Sequence, residues 1–258
     1  MENLNLKNKT ILILGGSGLI GRQIVDSLSK LCKLVIVLDI NDLKFRNKKV
    51  KFYNYDLSDK NFEKKFQIIT YKYKKIDCYI NCAYPISENW NKCDYQNINR
   101  EDLSINLDLQ LERLVLTTNI ISKQMRKNKT KGSIVLMNSI YGILGYDMNI
   151  YKNTDMRENI AYSVIKGGIT NYIRAMASIL SKNGIRINSV CAGGVEGHIA
   201  GKTKNQSRQF IKNYSEKVPI GRLAKPKEIS GPVIFLCSDL SSYITGSNLI
   251  VDGGWSSI

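Results

Sequence analysis

Leu12-Ile13-Leu14-Gly15-Gly16-Ser17-Gly18-Leu19-Ile20-Gly21 is the stretch on which the reading of the chain turns. An apolar run breaks into glycines, and a regularly spaced apolar segment follows. A buried strand that bends sharply into a helix has this pattern. Glycine permits the tight turn and lets a ligand approach the backbone. The first N–H groups of the helix have no intrahelical partner, and the dipole is positive there, so a pyrophosphate suits the site. An ordinary turn also uses glycine, and what lies downstream separates the two readings.

Outward from that loop, short β-like runs alternate with longer helical patterns. The alternation predicts one α/β domain over residues 1–258, a doubly wound parallel sheet of Rossmann type. Thr10–Leu14 is the first strand and Leu19–Leu31 its helix. Leu34–Leu38 is the second, ending at Asp39, and Val50–Tyr55 the third, with a helix from about Asp59. Ile76–Ile80 leads to Asn81-Cys82-Ala83-Tyr84-Pro85, and a long helix runs from Leu103 to about Met125. Ile134–Met137 ends at Asn138-Ser139. Tyr162–Leu180 is helical, Ile185–Val190 a strand, Pro226–Leu236 a helix with Pro near its start, and Leu249–Val251 a last strand. Candidate functional residues fall at strand C-terminal ends, where open α/β sheets bind ligands.

The composition excludes several classes. With 258 residues, 43% of them hydrophobic, the chain can bury one substantial core. No apolar run nears the roughly 18 residues of a membrane helix. Met1–Thr10 is polar and lacks a secretion signal's apolar centre, so a cytoplasmic protein is expected. The six cysteines form no CxxC pair, which implies reduced thiols and no metal. The 38 basic residues outnumber the 22 acidic ones, for a net charge of +16. The lysines are spread without a basic run or an aromatic-basic platform, so no nucleic-acid role is expected. The charge instead suits long-range attraction of an anionic substrate.

At Tyr162-Ser163-Val164-Ile165-Lys166 the chain resembles the short-chain dehydrogenase/reductase superfamily. The resemblance runs through the glycine loop, Asp39, Asp56-Leu57, Asn81-Cys82-Ala83, Asn106, Ser139, the Tyr162/Lys166 pair and the tail Val251-Asp252-Gly253-Gly254. Hydride transfer at a carbonyl carbon needs proton transfer at its oxygen. Tyrosine is a poor base, with an ordinary pKa of about 10. Lys166 stands one helical turn from Tyr162, on the same face, where an ammonium favours tyrosinate. Ser139 can orient the substrate oxygen. The resemblance further implies that Lys166 holds the nicotinamide ribose and that Asn106 helps carry a proton relay. Tyr141 and Tyr151 compete for the tyrosine role, but Gly145 and Asp155 stand where each would need its lysine.

The resemblance implies cofactor contacts from Gly15, Ser17, Gly18, Leu19, Ile20, Gly21, Asp56, Leu57, Asn81, Cys82, Ala83, Gly193 and Val195, besides Tyr162 and Lys166. Asp39 at the second strand's end suits ribose hydroxyls and repels a 2′-phosphate, which favours NAD(H) over NADP(H). A turn-capping aspartate is the other reading. Arg22 and Lys44 could soften the preference. Three features depart from the family's short branch. Leu14 and Leu19 replace a threonine and a glycine, leaving the GxxGxxG spacing of the extended branch. Ser139 and Tyr162 are 23 positions apart, implying a substrate-rim insertion at 140–161. Asn81-Cys82-Ala83-Tyr84 stands for Asn-Asn-Ala-Gly.

The insertion carries Tyr146, Asp147, Asn149, Tyr151, Asn153, Asp155 and Arg157, polar enough to bind a sugar. A flap at 194–218 bears Lys202, Lys204, Arg208 and Lys212, which suit a phosphate or a solvated face; His198 reads as a bland flap residue, and Ala192 replaces a usual proline. The whole resembles a bacterial subgroup linked to surface-polysaccharide or flagellin-glycan sugars. It implies an NAD(H)-dependent oxidoreductase acting on a phosphorylated or nucleotide-linked sugar, in a homotetramer or homodimer. A dehydratase or epimerase that retains NAD, and a non-catalytic NAD-binding regulator, are the alternatives.

Overall fold

Alternation along β1 (Thr10–Leu14) sends Ile11 and Ile13 to one face and Leu12 and Leu14 to the other, and all four are buried. A strand apolar on both faces belongs inside a parallel sheet covered on both sides. The computed structural model describes residues 4–197 and 206–258 and places the strand there. Beside it lie β2 (Leu34–Asp39), β3 (Val50–Asn54), β4 (Cys78–Asn81), β5 (Ser133–Ser139), β6 (Arg186–Ala192) and β7 (Asn248–Val251). All pairings are parallel, in the order β3-β2-β1-β4-β5-β6-β7. The order reverses between β1 and β4, and open sheets of this kind bind ligands at such a reversal.

Helices cover both faces of this single domain. α1 (Leu19–Leu31) and α7 (Pro226–Cys237) pack with Ile11, Ile13, Val35 and Val37 on one side. α2 (Phe62–Tyr71), α4 (Arg113–Lys127) and α5 (Ile160–Leu180) pack with Leu12, Leu14, Ile134 and Leu136 on the other. α3 (Arg100–Leu107) precedes α4, and α6 (Arg208–Lys217) lies toward the substrate side in a smaller core with Ile150 and Trp255. Among the described residues, no helix is long and apolar enough to cross a membrane.

Several boundaries differ from the sequence reading. α2 starts at Phe62 because Asp59 closes a turn first, its carboxylate accepting the Asn61 N–H at 2.7 Å. The long helix is divided by a π segment, Asp108–Glu112, between α3 and α4. β5 and β6 each run two residues further than expected, so Ser139 ends a strand paired with Ala192. α5 starts at Ile160, capped by Asn159, two residues before the expected Tyr162.

Candidate active site

β1 stops at Leu14, and Gly15 turns the chain with φ +79°. A Cβ on Gly15 would stand 2.4 Å from the Ala83 nitrogen, and one on Gly21 would stand 2.1 Å from the Gly15 carbonyl oxygen. Glycine is required at both because the loop packs on itself and on the end of β4. Gly18 differs: it is exposed, and a Cβ there would meet nothing nearer than 3.5 Å. It is the N-cap of α1, with no side-chain cap and no acidic residue in the first turn. The helix start therefore offers open amides to an anion, and the pyrophosphate of a dinucleotide fits that cradle.

The residues expected around it converge. Asp39 lies beside the loop, its Oδ2 accepting the Ser17 N–H at 2.9 Å and its Oδ1 the Asn41 N–H at 3.0 Å. The carboxylate thus fixes the turn, and it also stands at the carboxyl end of β2 next to the cradle. Asp56 accepts from Ser58 at 2.7 Å, and Leu57 is buried. Asn81 is buried and accepts the Ala83 N–H at 3.0 Å, while the Cys82 N–H donates to Leu14 at 2.8 Å. Arg22 and Lys44 are exposed.

Ser139 ends β5 and accepts the Tyr141 N–H at 3.2 Å. Facing it, Asn159 caps α5 by accepting the Tyr162 N–H at 2.9 Å, and donates to the Trp90 carbonyl at 2.8 Å. The cap fixes the first turn, so Tyr162 and Lys166 project on one face. The Tyr162 ring sits edge-on to Tyr84, Trp90 and Tyr141, with centroids 5.9, 6.1 and 6.4 Å away. Tyr162 keeps part of its surface accessible, yet desolvation pushes its hydroxyl up to about 12, against which Ser139 pulls downward. Lys166 is buried, and desolvation lowers its ammonium to about 8. Its Nζ donates to the Met137 carbonyl at 3.2 Å and stands over the Tyr162 ring, 5.3 Å from the centroid. The expected lowering of the tyrosine by the lysine is therefore not seen. The cation meets the ring face, and burial dominates at the hydroxyl.

Among the described residues Asn106 makes no hydrogen bond to Lys166. Its amide donates to Ser87 at 2.9 Å and to the Asp102 carbonyl at 2.7 Å, and accepts the Ser87 N–H at 3.2 Å. Tyr141 and Tyr151 do not compete for the site. The Tyr141 hydroxyl is buried with no partner among the described residues, and Tyr151 packs between Tyr146 and Phe210.

The insertion is less open to a ligand than its polarity suggested. Tyr146 donates to the Asn159 carbonyl at 2.7 Å and packs 4.3 Å from the Tyr141 ring. Asp147 caps a short turn and pairs with Lys217 at 3.5 Å; Asn213 ties down the Ile150 and Lys152 carbonyls. Its polar groups mostly hold the segment together. Gly193 donates to Val251 at 3.0 Å, Val195 bridges Ala224, and the Gly194 N–H donates to the Tyr214 hydroxyl at 2.5 Å. Arg208 and Lys212 are solvent-exposed on α6, whereas His198, Lys202 and Lys204 lie outside the described residues.

Trp90 and Asn159 escaped the sequence reading, which named Tyr84 only as part of the altered motif at the end of β4. An Asn immediately before a helical run is a cap signal that could have found Asn159; nothing local marks Trp90. A cleft of about 580 Å³ opens elsewhere, at the amino-terminal edge of the sheet, lined by Lys9, Asp77, Arg186 and Asp239. There Lys9 pairs with Asp239 at 2.7 Å, and Arg186 donates to three carbonyl oxygens.

Comparison with known proteins places this geometry. A family described as enoyl-(acyl carrier protein) reductase matches residues 19–256. The post-translational flagellin modification protein A of Campylobacter coli is 29% identical, over 97% of this chain and 99% of its own. An L-rhamnose 1-dehydrogenase (NAD(P)(+)) of Sphingomonas is 34% identical over 52% of this chain and 48% of its own. The crystal structure of a short chain dehydrogenase from Leptospira borgpetersenii with bound NAD+ is similar with a TM-score of 0.84 and 30% identity, covering 97% of this chain and 94% of that one.

Proposed function

The chain belongs to the short-chain dehydrogenase/reductase family and is an oxidoreductase; on that footing we propose that it interconverts a hydroxyl and a carbonyl on a phosphorylated or nucleotide-linked sugar, preferring NAD(H) to NADP(H). The reading is carried by the grouping of Ser139, Tyr162 and Lys166 at the end of β5 and the start of α5. β5 neighbours β4, whose end packs on the glycine loop. Open amides at Leu19 and Ile20 hold the pyrophosphate, and Asp39 accepts from the adenosine ribose. A nicotinamide dinucleotide, when bound, supplies or takes the hydride. Ser139 donates a hydrogen bond to the substrate oxygen and orients it. Tyr162 gives a proton to that oxygen, or takes one from it. Lys166 holds the nicotinamide ribose.

The insertion 140–161 and the described parts of the flap, residues 194–197 and 206–218, form the substrate rim. Support comes from Tyr141 and Tyr146, which carry the insertion onto Tyr162, and from Tyr214, stacked 4.6 Å from Trp255. The name of one relative, an L-rhamnose 1-dehydrogenase, favours a sugar. Exposed apolar side chains at Ile105 and Val164, on α3 and α5, favour a homotetramer or homodimer. The test is absorbance at the nicotinamide band with a panel of nucleotide-linked and phosphorylated sugars, L-rhamnose and acyl thioesters. Fastest turnover is expected on an anionic sugar. Preference for an acyl thioester overturns the substrate reading.

A further inference from the structure

Three consecutive residues at the end of β5 act on the helix that carries Tyr162 and Lys166. The Met137 carbonyl accepts the Lys166 Nζ at 3.2 Å. Asn138 Nδ2 donates to Thr170 Oγ1 at 2.9 Å, and Thr170 Oγ1 in turn donates to the Lys166 carbonyl at 3.0 Å. Ser139 acts on the Tyr162 hydroxyl. Asn138 and Thr170 are both buried, at 4% and 6% exposure. Around them the contact between strand and helix is apolar: Ile134 and Leu136 on β5, Ile165, Ile169 and Ile173 on α5. Apolar packing has no direction and tolerates a slide along the helix axis. One buried hydrogen bond does not tolerate it, and a single buried polar residue is the best-attested way to fix register between packed elements.

Two observations argue that the bond is kept for position. The Asn138 Oδ1 is buried with no partner among the described residues, an arrangement that costs stability. Gly142, just past Ser139, closes on the same point: a Cβ there would stand 2.6 Å from the Lys166 oxygen and 2.7 Å from Thr170 Oγ1.

We propose that Asn138 and Thr170 are positioning residues, a clamp that sets the register of α5 on β5 and so places the Lys166 ammonium for the nicotinamide ribose. The proposal rests on the assignment of Lys166 to that ribose, made above. The full-length chain and its variants are titrated with NADH, followed by the cofactor's fluorescence, and unfolded in urea. Asn138→Ala and Thr170→Val each weaken NADH binding about tenfold, equivalent to about 1.4 kcal/mol. The double variant is no weaker than either single, Thr170→Ser stays within about twofold of the parent, and Asn138→Ala adds nothing in a Lys166→Ala background. Where Thr170→Val does not fold, Gly142→Ala presses on the same two oxygens and produces the same loss. Unchanged NADH affinity in folded Asn138→Ala, with Lys166→Ala weakened, overturns the clamp alone, as do losses that multiply in the double variant. Unchanged affinity in Lys166→Ala overturns the ribose assignment and the clamp together. Losses that follow the urea midpoint instead of the Asn138–Thr170 pairing assign the bond to stability and overturn the proposal as well.

Discussion

Replacing Lys166 by Met changes how stability depends on pH. Desolvation lowers the Lys166 ammonium from an ordinary 10.5 to about 8. The compensation is one carbonyl oxygen at 3.2 Å and the faces of Tyr162 and Tyr84; among the described residues no carboxylate acts on it. A base with a depressed folded-state pKa binds its proton more weakly in the folded chain than in the unfolded one. The unfolded state therefore carries more protons between pH 8 and 10.5, and stability rises with pH across that window. Below pH 8 the penalty is complete, and above 10.5 it is gone. At about 1.4 kcal/mol per pH unit, the whole effect is about 3 kcal/mol. Urea unfolding of the parent chain and of Lys166→Met, at matched ionic strength from pH 7 to 10.5, cancels the other titrating groups in the difference. Met fills a similar volume without the charge, so the variant gains most at pH 7–8. That advantage shrinks by about 3 kcal/mol toward pH 10.5. Parallel stability curves refute the reasoning, because they place the lysine in an ordinary environment.

Other expectations concern the cradle and the aromatic cluster. Gly21→Ala forces a Cβ to 2.1 Å from the Gly15 carbonyl, so NADH binding is lost and the chain is destabilised by about 1–3 kcal/mol, read by fluorescence titration and urea unfolding. Asp39→Ala removes the carboxylate that opposes a 2′-phosphate, and the NADH-over-NADPH preference falls about tenfold in paired titrations; tighter NADPH binding by the parent chain contradicts the assignment. Tyr141→Phe deletes a buried hydroxyl without a partner among the described residues, so the urea midpoint rises, by about 1 kcal/mol in stability, and a fall shows that the hydroxyl is paired.

Much of this architecture was legible because the signals were local and repeated. The apolar run of β1, the glycines after it and the alternation downstream fix a parallel sheet, and Tyr162 with Lys166 declares itself by one-turn spacing. The helix after β3 was read from Asp59 because that residue caps a turn and a helix with the same chemistry. The π segment was not legible, since nothing in Asp108–Glu112 departs from an ordinary helical sequence. The packing inside the insertion was not legible either. Tyr146 and Tyr151 are polar by composition, yet their rings build a small core, which only the placement of Phe210 and Tyr214 reveals. The ring contacts of Tyr84 and Trp90 with Tyr162 join segments more than seventy residues apart, beyond the reach of any local pattern.

The central claim is that Tyr162 moves the proton at the substrate oxygen. Tyr162→Phe keeps the ring and its edge contacts and removes only the hydroxyl. With the sugar that the parent chain turns over fastest, the account predicts a loss of absorbance change at the nicotinamide band of at least about a hundredfold, with NADH still bound. A Tyr162→Phe chain that binds NADH and turns that sugar over within a few-fold of the parent rate contradicts it.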